Sequence, residues 1–271
     1  MTDRSGLFVD ASVPARYDRL LAPYIFTPWA RDLVARAELR TGSAVLDVAC
    51  GPGTVAVVAA ATVGPTGRVV GCDFSATMLA QAASRSRPSG SASIEYRECA
   101  AGELDAGDRE FDAVLCQQGL QFFPDRAAAA AEMRRVLRDG GVVLLSTWAS
   151  ERELGLFGAI SEAARDGGLP EPFPGAFDPT GFTVTAGAAA DVLEAAGFRD
   201  VSVELAELEC VWESPEAVAQ TITGTPYGPL FAAADEATRR RVSELILERV
   251  GAPASGEVRI ATASNIARGV R

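Results

Sequence analysis

Between residues 44 and 148, short apolar runs alternate with stretches whose apolar residues recur at helical spacing. The runs are Ala44–Ala49, Arg68–Asp73, Ala92–Arg97, Phe111–Gln117 and Gly141–Trp148. Helical patterns fall between them at about 54–62, 76–87 and 125–138. The last is closed by Asp139-Gly140-Gly141, a helix stop, and the run VVLLSTW follows at once. This succession is the signature of βαβ units and a parallel sheet. Consecutive apolar residues in the first, fourth and fifth runs fit a sheet covered on both faces.

The flanks read differently. Residues 8 to 40 form a helical-looking segment holding Phe8, Tyr17, Tyr24, Phe26 and Trp29, dense for a chain that is 7% aromatic. Residues 151 to 185 are rich in Gly, Pro and Phe (Phe157, Phe173, Phe177, Phe182), which predicts a mobile loop region more than a packed layer. A helix at about 187–196 ends at Gly197, the run VSVELAELECVW is a long strand, a helical insertion covers about 214–250, and a final strand lies near 263–270. No internal repeat is visible, and the Ala-rich stretch at 127–131 is the one tract of biased composition.

A length of 271 residues suits one large α/β domain with an added lid better than two independent domains. No run approaches the roughly 18 uninterrupted apolar residues of a membrane span, and Met1 to Asp10 lacks the basic-then-apolar pattern of a signal peptide, so a soluble, cytoplasmic protein is expected. The formal charge of −11 argues against a nucleic-acid partner, which needs a clustered basic field. All 25 basic residues are Arg, and histidine is absent, so no metal site is expected and catalysis lacks its commonest general base. The five cysteines are an odd number without clip-like spacing and read as reduced; Cys50, Cys72 and Cys116 end apolar runs, as small buried hydrophobes do. Arg239-Arg240-Arg241 could form an anion site, but Asp235, Glu236 and Glu244 beside it favour a solvated helix face.

The most informative stretch is VLDVACGPGTVA, Val45 to Ala56: an apolar strand, a glycine turn, then a helix. Glycines let a ligand approach the backbone, and the helix start offers unpaired N–H groups. The spacing also fits the dinucleotide pattern G-x-G-x-x-A, and Asp73 stands where a ribose-binding acid belongs, so the glycines alone do not separate a nicotinamide or flavin cofactor from S-adenosylmethionine. Three details favour the second. Pro52 removes a donor from the loop, Asp47 puts a carboxylate beneath it that suits a sulfonium and an ammonium, and Arg68 is the one basic residue between Arg40 and Arg85. A glycine turn that closes a strand–helix unit without any ligand is the plain alternative.

VLDVACGPGT resembles motif I of the class I S-adenosylmethionine-dependent methyltransferases, and VVGCDFSATML (Val69–Leu79) their second motif. FDAVLCQQGLQFFPD (Phe111–Asp125) resembles the fourth, and LRDGGVVLLSTW (Leu137–Trp148) is similar to the strand-five region of the ubiquinone/menaquinone-biosynthesis-like branch. The resemblance covers about residues 40 to 150. It implies that Ala49, Gly51 and Gly53 face the methionine moiety of S-adenosyl-L-methionine, that Asp73 takes the ribose hydroxyls, that Phe74 and Met78 pack on the adenine, and that Gln117 sits beside the methionine end. The family usually carries Gly-Asp-Ala after strand three; here Cys99, Ala100 and Ala101 stand there, leaving Ala100 and the backbone of Ala101 as adenine contacts without the carboxylate, and Glu98 or Glu103 as substitutes. Tyr17 and Trp29 are expected to close over the methionine end, against the alternative of ordinary helix packing. Gln118, Gln121, Phe122 and Trp148, at or just past strand ends, are expected beside the acceptor.

Pattern and resemblance together imply an α/β fold: a Rossmann-like, doubly wound, seven-stranded, mostly parallel sheet with an antiparallel edge strand and helical lid insertions. Residues 1–40 are expected as cap helices, 41–150 as the cofactor-binding core, 151–256 as substrate-side insertions, and 257–271 as the edge strand. The implied activity is methyl transfer to a small, apolar or aromatic metabolite, on carbon or oxygen, with no catalytic residue assigned. A fold that keeps the cofactor as scaffold for a non-methylating reaction and an NAD(P)-dependent oxidoreductase are the alternatives. A homodimer is left open.

Overall fold

Seven strands build one sheet: β1 (Ala44–Val48), β2 (Arg68–Asp73), β3 (Ser93–Glu98), β4 (Phe111–Gln117), β5 (Leu137–Trp148), β6 (Arg199–Trp212) and β7 (Val258–Val270), in the order β3-β2-β1-β4-β5-β7-β6. The computed structural model describes residues 13–149, 155–177 and 183–271; Phe8, Phe182 and the segment Met1 to Asp10 lie outside the described residues. Strands β1 to β5 pair in parallel, and β7 runs antiparallel to both β5 and β6. The antiparallel strand, expected at the edge near 263–270, lies one place further in, between β5 and the edge strand β6, and it begins at Val258.

Every residue of β1 is buried, as the apolar runs predict. Successive side chains point to opposite faces, so Val45, Leu115 and Leu144 enter one core and Leu46, Val114 and Leu145 the other. The first core is covered by α2 (Thr27–Arg36), α3 (Thr54–Val63), α6 (Leu156–Asp166), α8 (Pro215–Gln220), α9 (Gly228–Ala233) and α10 (Glu236–Arg249), the second by α5 (Arg126–Val136) and α7 (Ala186–Ala195). Ahead of α2, α1 (Val13–Leu20) leads through a π-helical turn at Ala22–Phe26. Helix α4 (Ala76–Ser84), capped by the Ser75 hydroxyl on the Met78 amide, stops short of the expected 87 ahead of Pro88.

Two expectations need correction. Gly140-Gly141 does not separate a helix from a strand. Helix α5 ends at Val136 and β5 starts at once; the pairing jumps from Phe111↔Leu137 to Ala113↔Val142, and Gly140, at φ +79°, forms a bulge there. Residues 151–185 are also not simply a loop region. Leu156, Ile160, Ala163 and Ala164 recur at helical spacing and are buried, and α6 packs them against Val242 and Ile246 of α10. The Gly and Pro residues of the wider window obscured that period.

Candidate cofactor and acceptor site

The strand order reverses between β1 and β4, and in open α/β sheets ligands bind outside the carboxyl ends of the strands at such a point. Here that point is occupied by the glycine turn after β1 and by Gln117 at the end of β4. Ala49, Gly51 and Gly53 all have positive φ (+55°, +52° and +78°), which bends the chain sharply from strand to α3. A Cβ on Gly51 would meet nothing within 4 Å, whereas one on Gly53 would lie 2.5 Å from the Tyr96 hydroxyl.

Two carboxylates hold the turn. Asp73 accepts from the Gly51 amide (2.8 Å) through one oxygen and from the Ser75 amide (2.9 Å) through the other. Burial raises its pKa, against the backbone N–H groups of Ser75, Gly51 and Phe74 that lower it. Asp47 shares the face of Val45 and accepts from the Ala56 amide (2.9 Å) in the first turn of α3. Burial pushes its carboxyl well above the usual carboxylate range; the Ala56 amide offsets this in part and Asp73 adds to it.

Above the turn is a small cavity of about 40 Å³, partly open to solvent. Asp47, Ala49, Gly51, Thr54 and Gln117 form its floor and walls, with Tyr17 and Phe26 on the other side. Those two rings stack with centroids 4.5 Å apart. Gln117 donates its amide to the Phe26 carbonyl (2.9 Å), tying the roof to β4. Its Oε1 and the Thr54 Oγ1 are buried without a partner. Helix α1 is latched to α4, since Asp18 accepts from Gln81 Nε2 (3.0 Å) and pairs with Arg85.

The structure therefore brings Tyr17, Ala49, Gly51 and Gln117 to one cavity, with Gly53 in its turn and Asp73 beneath. Phe74 is 44% exposed and Met78 is buried at the start of α4. Ala100 and Ala101 follow β3 beside Asp73, whose carbonyl accepts from the Cys99 amide (3.1 Å); Ala100, Glu98 and Glu103 are exposed. Of the residues expected beside the acceptor, Gln118 at φ +55° donates to Ser264 Oγ (3.0 Å), and Gln121 Nε2 reaches Gln118 Oε1 (3.4 Å). Phe122 is partly buried in the 3-10 turn Leu120–Phe122. Trp148 is buried among Phe26, Trp29 and Phe157, with centroids 5.6 to 6.3 Å away.

Trp29 does not reach the cavity. It is 0% exposed, its indole N–H satisfied by Thr262 Oγ1 (3.0 Å) on β7, so ordinary packing describes it. Sequence reasoning missed Thr54 as a lining residue, although the first helical residue after a glycine turn is a natural place for one. It also missed Tyr96, whose buried hydroxyl has no partner; nothing in the pattern of β3 marks it. In α10, Arg240 faces Glu244 at 3.9 Å, as a solvated helix face would.

A family model described as a methyltransferase domain matches residues 45–141. An uncharacterised protein of Mycobacterium tuberculosis is 36% identical over 146 residues, which cover 54% of this chain and 51% of that protein. A ubiquinone/menaquinone biosynthesis C-methyltransferase of Xylella fastidiosa is 38% identical over 137 residues, 49% of this chain and 54% of that enzyme. The chain thus spans about half the length of the curated relatives it matches. Among solved structures, a Haemonchus contortus phosphoethanolamine N-methyltransferase in complex with S-adenosyl-L-methionine superposes with a TM-score of 0.60 at 16% identity, over 99% of this chain and 58% of that one, a likeness of fold. Residues 45–141 thus match a methyltransferase domain, the fold is like that of an S-adenosylmethionine-bound methyltransferase, and the similar proteins include a ubiquinone/menaquinone biosynthesis C-methyltransferase and a demethylmenaquinone methyltransferase. The antiparallel β7 departs from the parallel sheet of dinucleotide-binding folds, which sets the nicotinamide reading of the glycines aside. Among the described residues no helix is long and apolar enough to cross a membrane.

Proposed function

We propose that the protein transfers the methyl group of S-adenosyl-L-methionine to carbon or oxygen of a small apolar or aromatic acceptor. The observation that carries this reading is the cavity at the switch point, where Asp47, a bent glycine turn held from beneath by Asp73, and two unpartnered buried oxygens meet without a basic residue among the lining side chains. That set fits a ligand with an ammonium and a sulfonium and does not fit a diphosphate. Asp73 would take the ribose, Phe74 and Met78 the adenine, and Gln117 and the turn the methionine end. The bound cofactor supplies an already activated methyl group.

The work left to the chain is positional. Tyr17 and Phe26 exclude water over the cavity, and the amide ladder Gln121–Gln118–Ser264 beside Trp148 would orient the acceptor within reach of the methyl group. Residues 1–40 as cap, 41–150 as cofactor core, 151–256 as acceptor-side cover and 257–271 as closing strand are part of the same proposal, as are a cytoplasmic location and a homodimer. The test is a panel of phenols, indoles, amines and quinols offered with S-adenosyl-L-methionine while S-adenosylhomocysteine is monitored. Turnover with an apolar hydroxylated ring and not with amines is expected. Failure of the protein to bind S-adenosyl-L-methionine at all would overturn the reading.

A further inference from the structure

The amino ends of the strands carry a second opening, away from the glycine turn. A cleft of about 610 Å³ lies where β1 and β4 begin, between the loop that joins α2 to β1 and the bulge of β5 at Gly140. Its volume is that of a small-molecule site, against about 40 Å³ for the cavity at the carboxyl ends. The five residues of β1 separate the two by roughly 15 Å of extended chain, so the cleft is a place of its own.

Three guanidinium groups from three elements line this cleft: Arg40 in the loop, Arg138 in β5 and Arg268 in β7. Arg138 is already matched. It donates to Asp112 Oδ1 (2.6 Å), whose Oδ2 accepts from the Ala44 amide (2.7 Å) at the start of β1. The side chains of Arg40 and Arg268 have no acceptor among the described residues, although the 36 acids of the chain outnumber its 25 arginines. Arg268 is partly buried, and a guanidinium drawn out of water with its N–H donors unmatched is costly unless a ligand supplies oxygens. The acids of the lining do not fill that role. Asp112 is taken by Arg138, and Asp139 faces Arg109 and Arg271 at 3.6 and 3.5 Å. Glu38, at φ +50°, is the lining acid without a partner among the described residues; two free arginines against one free glutamate leave a net charge of plus one.

We propose that this cleft binds a small organic molecule through one oxyanion group, a phosphate monoester or a carboxylate, held between Arg40 and Arg268. Each guanidinium presents a planar fork of N–H donors that matches the paired oxygens of either group and so supplies the missing acceptors. Glu38 limits the charge the cleft accepts, which favours a ligand with a single charged head over a compact polyanion. Leu39 and Val142 in the lining offer an apolar wall to the uncharged body. The site goes beyond methyl transfer and does not depend on the cofactor reading.

The experiment titrates the full chain with butyl phosphate, pentanoate and pentan-1-ol by calorimetry in phosphate-free buffer at about 0.15 M salt, where attraction to scattered surface charge is screened. Expected is saturable one-to-one binding of at least one of the two anions and none of the alcohol, with the tighter anion separating a phosphate from a carboxylate ligand. Arg40→Gln and Arg268→Gln should each raise Kd tenfold or more, and Arg268→Lys, which keeps the charge and loses the fork, should fall between. Arg241→Gln, on the exposed face of α10, should bind as the parent does. Circular dichroism checks the fold of each variant; should Arg268→Gln not fold, Arg40→Gln on its exposed loop decides alone. Absence of saturation with both anions, equal binding of the alcohol, or an equal loss in Arg241→Gln would each overturn the inference and leave Arg40 and Arg268 as solvated surface charges.

Discussion

Gly53 carries the sharpest steric demand in the site. At φ +78° a side chain is strained whatever the surroundings, and a Cβ would stand 2.5 Å from the Tyr96 hydroxyl, 3.2 Å from its Cζ and 3.1 Å from the Ala82 Cβ. The left-handed conformation costs a non-glycine residue about 1–2 kcal/mol, and overpacking a buried contact adds about 1–3 kcal/mol, so Gly53→Ala should destabilise the cofactor-free protein by about 2–5 kcal/mol. The partner gives the cleaner test. Because the Tyr96 hydroxyl is buried without a hydrogen bond, Tyr96→Phe should be neutral or stabilising, since it removes an orphaned polar atom worth about 1–3 kcal/mol. In the Tyr96→Phe background the atom nearest the new methyl group is gone, and the cost of Gly53→Ala should fall by about 1 kcal/mol or more. Denaturant unfolding of the parent, both single variants and the double variant supplies the cycle. Equal costs in the two backgrounds would refute the steric account and leave backbone strain alone.

Three further outcomes follow from the acids and the altered adenine loop. Asp73→Ala should weaken S-adenosyl-L-methionine binding by about 1.5–3 kcal/mol or more by calorimetry, the size of a lost hydrogen bond to a charged group, and parental affinity would disprove the ribose assignment. Ala100→Asp, which restores the family's residue, should leave affinity unchanged or tighter; a clear weakening would show that the loop has been rebuilt around its alanine. Asp47 is buried with its pKa raised, so its neutral form is favoured by folding and its ionisation opposes it. The contribution is therefore fully present below the unfolded carboxyl pKa and is lost as pH rises through the folded value. Asp47→Asn should gain Tm relative to the parent over that rise while losing cofactor affinity; a Tm difference that does not vary with pH would contradict the burial argument.

The sequence exposed those features whose physical cause is local. Strand β4 was legible to the residue because Ala113–Cys116 is an apolar run between turn signals, and the glycine turn was legible because Gly51 and Gly53 mark a backbone of positive φ. Asp47 announced itself as a carboxylate in an apolar strand. What stayed hidden depends on contacts between distant segments. The start of β5 at Leu137 is decided by pairing with Phe111, not by the Gly-Gly signal beside it. Trp29, an aromatic expected over the methionine end where it would also meet the acceptor, is instead fixed by Thr262, 233 residues away, which satisfies its indole.

The pH dependence of turnover tests the mechanism as a whole. With no histidine or lysine in the chain, the ionisable groups at the cavity are Tyr17, Asp47 and Cys50, and burial is the largest cause of an upward shift in each. Raised thiol and phenol pKa values leave Cys50 and Tyr17 protonated at neutral pH, so neither serves as a base there. Methyl transfer from a sulfonium is a displacement that needs alignment at about 3 Å more than proton removal, and a carbon or pre-ionised oxygen nucleophile needs least help. The expected profile is a kcat/KM that rises with pH toward the acceptor's own pKa and shifts when an acceptor of different pKa is used. Asp47 is the group able to break this expectation, because its carboxyl is displaced upward from the acid range and lines the cavity. An inflection that stays put when the acceptor is changed, and disappears in Asp47→Asn, would make that carboxylate a general base and end the account in which position alone sets the rate.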